Sequence, residues 1–378
     1  MPLGFGTMRL PVIDGDQNRI DFEQFNSMVD AFIDAGNTYF DTSYVYHNSH
    51  SEAAVKKAVV DRHPRSSFTI ATKFPTFILQ EEAQVEPIFE QQLANLGVEY
   101  VDYYLLHLLN TIMYNGLDGK GGIVKKARLF EHMQKWKEEG KIRHIGFSFH
   151  DTPEVLDQIL TDHPEVEFVQ IVLNYLDWDS GFVNAKGCYD VIRKHGRKVI
   201  VMEPVKGGTL AEVPEVVRER LEKMNPKLDP AGMALDFAVS HDGEIAVLSG
   251  MSNLEQVQDN IRTFRELIPM SEDEKNEMLE VARIYKETGP EHMSDFTRYN
   301  AVTYHGIPVG NLLEAYNDVL IQPNPGFSCE LNYLKALLAL QGKTLEDTFP
   351  EETVIFEGED ITDQVKKAWD YLIQHSFR

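Results

Sequence analysis

The sequence predicts an α/β protein built as a closed (β/α)8 TIM barrel with a mainly helical extension at its C-terminal end. Short runs rich in β-branched and aromatic residues alternate with helix-length amphipathic runs, the pattern of parallel strands joined by helical crossovers. Eight such short runs are present, which is the number of strands in this barrel. The rival is an open doubly wound sheet, but GFGTMR near the first strand lacks the G-x-G-x-x-G fingerprint typical of that fold.

The predicted strands follow one another at intervals that leave room for a helix between them. They are residues 3–7, 38–43, 68–73, 101–107, 144–150, 168–175, 198–204 and 245–251. The intervening helices include residues 22–36, 51–62 and 129–140, where apolar residues recur at helical spacing. Gly36, Gly97 and Gly140 stand just past helical patterns, where glycine commonly ends a helix.

Length and charge limit the classes of function. The chain has 378 residues and a barrel needs roughly 250, so we expect a barrel domain over 1–285 and a helical extension over 286–378. The formal net charge of -24 disfavours nucleic acid and anionic membranes as partners. No stretch approaches the roughly 20 apolar residues of a spanning helix. Two cysteines predict neither a disulfide framework nor a multi-cysteine metal site, so a cytoplasmic protein is expected.

Three successive predicted strands end in residues that suit proton donation to a carbonyl. Asp41 and Tyr46 follow the second strand, Lys73 ends the third and His107 ends the fourth. The C-terminal ends of barrel strands meet at one rim, where such folds hold their chemistry. A phenol with a pKa of about 10 is a poor acid at neutral pH and needs a nearby cation. Lys73 is suited to supply that charge, with Asp41 holding it in place.

Other reactive side chains have simpler interpretations. Tyr44 and Tyr103 are rival phenols, but Tyr44 misses the five-residue spacing from Asp41 and Tyr103 lies inside a strand, so core or pocket roles are expected. Cys188 lies in a predicted helix without an activating neighbour, so we expect a buried, inert thiol.

A metal site is not predicted. His47, His50 and Glu52 share one short loop and lack the separated second group that metal ligands usually include.

Eight segments resemble the aldo-keto reductases in order, and most of all the bacterial branch that often carries a C-terminal iron-sulfur tail. They are LGFGTMRLP, FDTSYVYHNSHSE, TKFP, YYLLHLLN, EEGKIRHIGFSFHD, VQIVLNYLD, VMEPVKGG and LSGMSNLEQVQDNI. The resemblance implies an NAD(P)-dependent aldo-keto reductase or alcohol dehydrogenase that interconverts an aldehyde or ketone with an alcohol. By this likeness the family tetrad falls on Asp41, Tyr46, Lys73 and His107. Tyr46 would then donate the proton, Lys73 would lower its pKa, and His107 would hydrogen-bond the carbonyl.

The resemblance also implies a set of residues for the nicotinamide cofactor. Ser148 and Gln170 match positions that bind the carboxamide, Met202 matches a position that stacks on the ring, and Gly207 offers close backbone approach to a pyrophosphate. The full set is Thr7, Met8, Ser148, Gln170, Met202, Pro204, Lys206, Gly207, Ser249, Gly250, Met251, Ser252, Gln256, Asp259 and Asn260.

Cofactor preference stays open between NADP and NAD. Relatives that prefer the phosphorylated cofactor carry Lys and Arg where this chain has Gly250 and Gln256. Phe149 replaces an asparagine that often follows the carboxamide serine, and His150 is a candidate to take over that contact. The helix after the eighth strand is predicted to begin near Ser252 or Asn253, and Ser252 in isolation is more simply an N-cap than a phosphate ligand.

The extension departs from the resembled branch. Cys329 is the only cysteine beyond residue 285, so a cluster held by four thiolates is not expected. Residues 307–320, 329–340 and 363–375 predict amphipathic helices, whose apolar faces leave a homo-oligomer possible. The expected partner is a small carbonyl or alcohol substrate whose identity the sequence does not give.

Two other functions are the alternatives for a barrel of this kind. One is a regulatory or assembly subunit that keeps the barrel and binds the cofactor but turns over little. The other is a metal-dependent hydrolase, which needs a His-x-His at the end of the first strand, where this chain has none.

Overall fold

A computed structural model describes residues 3–322 and 329–376, and its eight parallel strands close into a barrel in chain order. The first strand pairs with both the second and the eighth, which completes the ring. The strands are β1 Leu3–Gly6, β2 Tyr39–Asp41, β3 Thr69–Phe74, β4 Val101–Leu109, β5 Ile142–Phe149, β6 Phe168–Val172, β7 Lys198–Met202 and β8 Glu244–Ser249. The predicted fold class and the eight predicted strand positions are confirmed.

The longer helices follow the strands as predicted. Their bounds are α1 Phe22–Asp34, α2 Ser51–Val55, α3 Val85–Leu96, α4 Thr111–Asn115, α5 Leu129–Glu138, α6 Pro153–Asp162, α7 Ala185–Lys194, α8 Glu215–Met224, α9 Pro230–Val239, α10 Leu254–Glu266, α11 Glu272–Glu287, α12 Val309–Ile321, α13 Cys329–Leu340 and α14 Thr362–His375. The helix predicted over 51–62 is α-helical only in α2 and continues as a π-helical turn over Lys56–Val60. Gly36, Gly97 and Gly140 all have positive φ, which confirms their predicted role at helix ends.

The chain divides into two compact units. The first consists of Met1–Leu173, Gly187–Pro204 and Ala238–Pro269 and holds all eight barrel strands. Side chains that point into the barrel form its inner core, from Tyr39, Ala71, Leu105, Phe168, Ile200, Ala246 and Leu248. The barrel interior is therefore filled, as this fold requires, and the chemistry has to lie at a rim.

The second unit consists of Asn174–Lys186, Val205–Phe237 and Met270–Arg378. Helix α12 is buried along most of its length, and it packs with α14 around aromatic residues such as Tyr304 and Trp369 in a separate apolar core. The helices predicted at 307–320, 329–340 and 363–375 are confirmed as α12, α13 and α14. The predicted contiguous boundary near residue 285 stays a prediction.

Strand β4 contains an irregularity at the position that matters for the site. Its pairing with β5 shifts register between Leu106 and Leu109, and Leu108 has a φ of 64°. A leucine in the left-handed region is strained, because its Cβ crowds the following carbonyl. Such bulges re-aim side chains beside active sites, and here the preceding residue is His107.

Candidate active site

A buried ion pair joins the ends of β2 and β3. The Lys73 ammonium donates to Asp41 Oδ1 at 2.5 Å and to the backbone oxygen of Thr42 at 2.9 Å. Lys73 is 0% exposed and Asp41 is 2% exposed. Burial opposes the lysine charge, but Asp41 and Tyr46 outweigh it and hold the pKa of Lys73 above its usual value. The site therefore contains a fixed positive charge.

Tyr46 lies beside that charge, with the Lys73 ammonium 5.1 Å from its ring centroid. Burial raises the pKa of the Tyr46 phenol, and Lys73 opposes the rise. The lowering by Lys73 expected from the sequence is present but smaller than the effect of burial. The phenol consequently keeps its proton at neutral pH, while the cation is in place to stabilise a phenolate.

The turn that follows Tyr46 is held in a strained conformation. His47, Asn48 and Ser49 have φ values of 51°, 51° and 68°, so three consecutive residues with side chains occupy the left-handed region. Asparagine tolerates this region, whereas His47 and Ser49 each pay a cost of about 1–2 kcal/mol there. His47 is fixed there because its Nε2 accepts the Leu10 N–H at 3.2 Å.

His107 lies next to Tyr46, with ring centroids 6.0 Å apart and ring planes nearly perpendicular. The ring centroid of the half-exposed Phe77 lies 5.6 Å from that of His107. The backbone around the bulge is held by two hydroxyls, because Thr76 Oγ1 donates to the His107 carbonyl and Ser148 Oγ accepts the Leu108 N–H at 2.8 Å.

The protonation state of His107 follows from its surroundings. Burial and then the Lys73 charge hold its pKa well below the usual value, so the imidazole is neutral at neutral pH. The neutral ring keeps one N–H that can donate a hydrogen bond to an oxygen atom, and its other nitrogen is an acceptor.

A second polar cluster lies behind Lys73 and was not predicted from the sequence. The buried Glu52 carboxylate accepts hydrogen bonds from Thr72 at 2.6 Å, Gln92 at 2.8 Å and Asn95 at 3.0 Å. Gln92 also donates to the Lys73 carbonyl at 3.1 Å. The only signal in the sequence is that the helical pattern of residues 51–62 places the acidic Glu52 on the face that packs against the protein core. These hydrogen bonds fix the position of the Glu52 carboxylate.

Ser148 and Gln170 are neighbours in the barrel, since they are register partners of β5 and β6. Both are buried, and Gln170 Oε1 is enclosed without a hydrogen-bond partner. A buried acceptor without a donor is costly in an unliganded protein. The arrangement fits a ligand amide that donates to Gln170 and approaches the Ser148 hydroxyl.

The end of β8 leads directly into α10. Asn253 caps this helix by accepting the Gln256 N–H at 2.8 Å, and the Gln256 side chain returns to the Ser252 N–H at 2.7 Å. The predicted helix start is confirmed, with Asn253 as its N-cap. Asn260 donates to Ser249 Oγ at 2.7 Å, which fastens the first turns of α10 to the strand end.

The remaining predicted cofactor residues of the first unit differ in exposure. Thr7 is buried and bonded to the Ser51 hydroxyl at 2.8 Å, whereas Met8 is 49% exposed. Buried members are Pro204 and Met251; partly or fully exposed members are Met202, Gly250 and Asp259. At Gly250 an added Cβ would lie 3.3 Å from the Arg9 stem, a close contact that a small shift of this exposed, flexible side chain would relieve.

Lys206 and Gly207 belong to the second unit and are described within it. The Lys206 ammonium donates to Asp177 Oδ1 at 2.7 Å, and both side chains are buried. Gly207 has a φ of 65°. The positive charge of Lys206 is therefore already paired with the Asp177 carboxylate. The predicted contact of Lys206 with a cofactor phosphate stays a prediction.

The other sequence predictions can now be compared with the structure. Tyr103 packs against the inner barrel core, as expected, and Tyr44 is half-buried. Cys188 is buried in α7, as predicted, and burial raises the pKa of its thiol to about 12, while its inertness stays a prediction. The Cys329 side chain lies outside the described residues. Within the described ranges there is no cluster of three or more His, Cys, Asp or Glu side chains placed to hold a metal ion, and no helix is long and apolar enough to cross a membrane.

Sequence comparisons identify relatives of this chain. The model of the Aldo/keto reductase family matches residues 2–283. Probable aldo-keto reductase 1 from Glycine max is 23% identical over 330 residues, which cover 79% of this chain and 90% of the relative. L-galactose dehydrogenase from Arabidopsis thaliana is 26% identical over 262 residues, which cover 64% of this chain and 77% of the relative.

Solved structures share the barrel. The holo form of an aldo-keto reductase from Bacillus halodurans matches with a TM-score of 0.58 at 22% identity, over 74% of this chain and 91% of that one. An aldo-keto reductase from Klebsiella pneumoniae, solved in complex with NADPH, matches with a TM-score of 0.57 at 21% identity, over 75% of this chain and 90% of that one. At these identities the likeness shows the fold.

Proposed function

The chain belongs to the aldo-keto reductase family, and from this premise we propose that it reduces an aldehyde or ketone to an alcohol, reversibly, with NADPH or NADH. One observation carries the proposal: a phenol, a buried ammonium held by a carboxylate, and a neutral imidazole lie together at the ends of β2, β3 and β4. This combination suits the delivery of one proton to a carbonyl oxygen.

Each residue has a distinct role in the proposed reaction. Tyr46 donates its phenolic proton to the carbonyl oxygen; burial raises the pKa of the phenol and weakens it as an acid, and the Lys73 charge acts in the opposite direction. Lys73 stabilises the phenolate left behind, and Asp41 holds the lysine charge in place. His107, neutral, donates a hydrogen bond to the same oxygen and sets its angle.

The nicotinamide cofactor, when bound, supplies the hydride that goes to the carbonyl carbon, so that one hydride and one proton convert the carbonyl to an alcohol. Gln170 and Ser148 would hold its carboxamide, and the enclosed Gln170 Oε1 supports this assignment. The Klebsiella pneumoniae neighbour was solved with NADPH, which supports a nicotinamide cofactor here without deciding between NADPH and NADH.

The test compares two tyrosines that stand two residues apart. We expect Tyr46→Phe to lower kcat for reduction of a panel of aldehydes by at least about 100-fold, the scale of a lost general acid, with little change in the Kd for NADPH. Tyr44→Phe is the matched control and should retain activity.

Two outcomes would contradict the proposal. Turnover by Tyr46→Phe at the wild-type rate would remove Tyr46 from the reaction. Binding of NADPH by the wild type with no turnover of any aldehyde or ketone tested would instead favour the regulatory or assembly subunit.

A further inference from the structure

Ser43 lies on the loop that also carries Asp41 and Tyr46. Its side chain is 0% exposed, and its Oγ lies 3.1 Å from Nδ1 of His107. Its backbone oxygen accepts the Tyr46 N–H at 3.3 Å. One residue thus touches both the backbone of the expected proton donor and the imidazole beside it.

The hydroxyl of Ser43 makes one hydrogen bond among the described residues. His107 Nδ1 is the only hydrogen-bond partner of Ser43 Oγ in that part of the protein. A buried hydroxyl proton left without an acceptor costs free energy, so the hydroxyl is expected to donate rather than only accept. Nδ1 must then be the bare nitrogen of the imidazole.

Because His107 is neutral, only one of its two ring nitrogens carries a hydrogen. A neutral imidazole carries one N–H, and the hydrogen bond made by one nitrogen fixes which nitrogen carries the hydrogen. The charged or titratable groups that act on His107 are Lys73 and His150, and both disfavour the imidazolium. Its other close neighbours, the rings of Tyr46 and Phe77, lie 6.0 Å and 5.6 Å away by centroid.

We infer that Ser43 is a positioning residue that donates to Nδ1 of His107 and thereby fixes the Nε2–H tautomer, so that Nε2 is the nitrogen that donates to the substrate carbonyl. The consequence for catalysis rests on the proposed function, whereas the tautomer itself does not. An alanine at this position would leave Nδ1 without a donor and allow the hydrogen to sit on either nitrogen.

The first experiment needs no variant and no substrate. Nitrogen NMR of the folded full-length chain, labelled with 15N-histidine, distinguishes the protonated from the bare ring nitrogen, and His107→Gln assigns the signals. We expect His107 of the wild type to show the Nε2–H pattern at pH 7. A His107 with its hydrogen on Nδ1 would overturn the inference even if every variant were active.

The variants test the cause. Ser43→Ala should convert the His107 signals to a mixture of tautomers, and Ser43→Thr, which keeps the hydroxyl, should restore the wild-type pattern. Ser51→Ala is the control for the NMR readout, because Ser51 is an equally buried hydroxyl that bonds Thr7 and Thr42 instead of His107. An unchanged His107 spectrum in folded Ser43→Ala would show that another group sets the tautomer.

Kinetics connect the tautomer to the reaction. Loss of one neutral hydrogen bond predicts a fall in kcat of about two- to tenfold for Ser43→Ala, with the Kd for NADPH unchanged and recovery in Ser43→Thr. Wild-type kcat in a Ser43→Ala protein with mixed tautomers would contradict the positioning role. Failure of the proposed function would appear separately, as full activity in Tyr46→Phe.

Discussion

Replacing Lys73 with methionine should separate the structural role of the ion pair from its chemical role. Lys73→Met leaves Asp41 buried, and both carboxylate oxygens then lack a partner among the described residues, because Oδ2 has none and Oδ1 bonds only Lys73. Breaking a buried pair on one side typically costs about 3–5 kcal/mol. Against a total stability of roughly 5–15 kcal/mol, this is a large loss.

The double variant decides the cause of that loss. In Asp41→Asn combined with Lys73→Met neither position carries a charge, and exchanging a buried pair for neutral groups is often nearly neutral. We therefore expect the double variant to recover at least about half of the stability lost by Lys73→Met, but none of the activity, since the phenolate stays unsupported. Lys135→Met is the control, because Lys135 is 55% exposed and its pairs with Glu86 and Glu139 are long.

Urea unfolding monitored by tryptophan fluorescence gives the free energies, with aldehyde reduction measured on the same samples. Burial raises the pKa of Asp41 above its unfolded value, so the carboxyl is protonated first in the folded state. The stability deficit of Lys73→Met should therefore be smallest near pH 4 and grow as the pH rises. A deficit below about 1 kcal/mol at pH 7, or a double variant no more stable than the single one, would refute the reasoning.

Two further predictions concern backbone strain and pH. Ser49→Gly should raise the free energy of unfolding by about 0.5–1 kcal/mol, because Ser49 is exposed and has a φ of 68°, whereas the same change at Ser27 within α1 should lower it by about 0.5 kcal/mol; equal effects on urea unfolding would contradict this. Burial, and then Asp242, raises the pKa of Glu244 to about 8, so its contribution to stability is full below the unfolded pKa of about 4.3 and is lost as the pH rises through 8. Glu244→Gln should consequently be more stable than the wild type at pH 9 and not at pH 5, as measured by urea unfolding, and a constant difference between the two pH values would count against a buried carboxyl.

Most of the barrel was predictable because its strands and helices have distinct sequence periods. The proximity of Asp41, Lys73 and His107 could be predicted from their positions at strand ends alone, since parallel strands of a barrel end at a common rim. The five-residue spacing selected Tyr46 over Tyr44.

What the sequence could not give are contacts that depend on long-range register. Ser43 and His107 are 64 residues apart, and Glu52 and Gln92 are 40 apart. Neither pair carries a local pattern, so a serine in a loop and a glutamate in a helix looked like ordinary polar residues. The bulge at Leu108 also has no local sequence signal, because a leucine inside an apolar run predicts a regular strand.

The different roles of the site residues follow from how burial shifts the pKa of each type of group. Burial disfavours any charged form, so it pushes the imidazole of His107 and the phenol of Tyr46 toward neutrality alike. For the imidazole this leaves one N–H that can donate a hydrogen bond, whereas for the phenol it makes the proton harder to transfer, an effect that the Lys73 charge opposes. Lys73 stays charged in the same surroundings because Asp41 and Tyr46 outweigh the effect of its burial. One low-polarity site thereby holds a proton donor, a hydrogen-bond donor and a permanent cation, and the carboxylate is the group on which the other assignments depend.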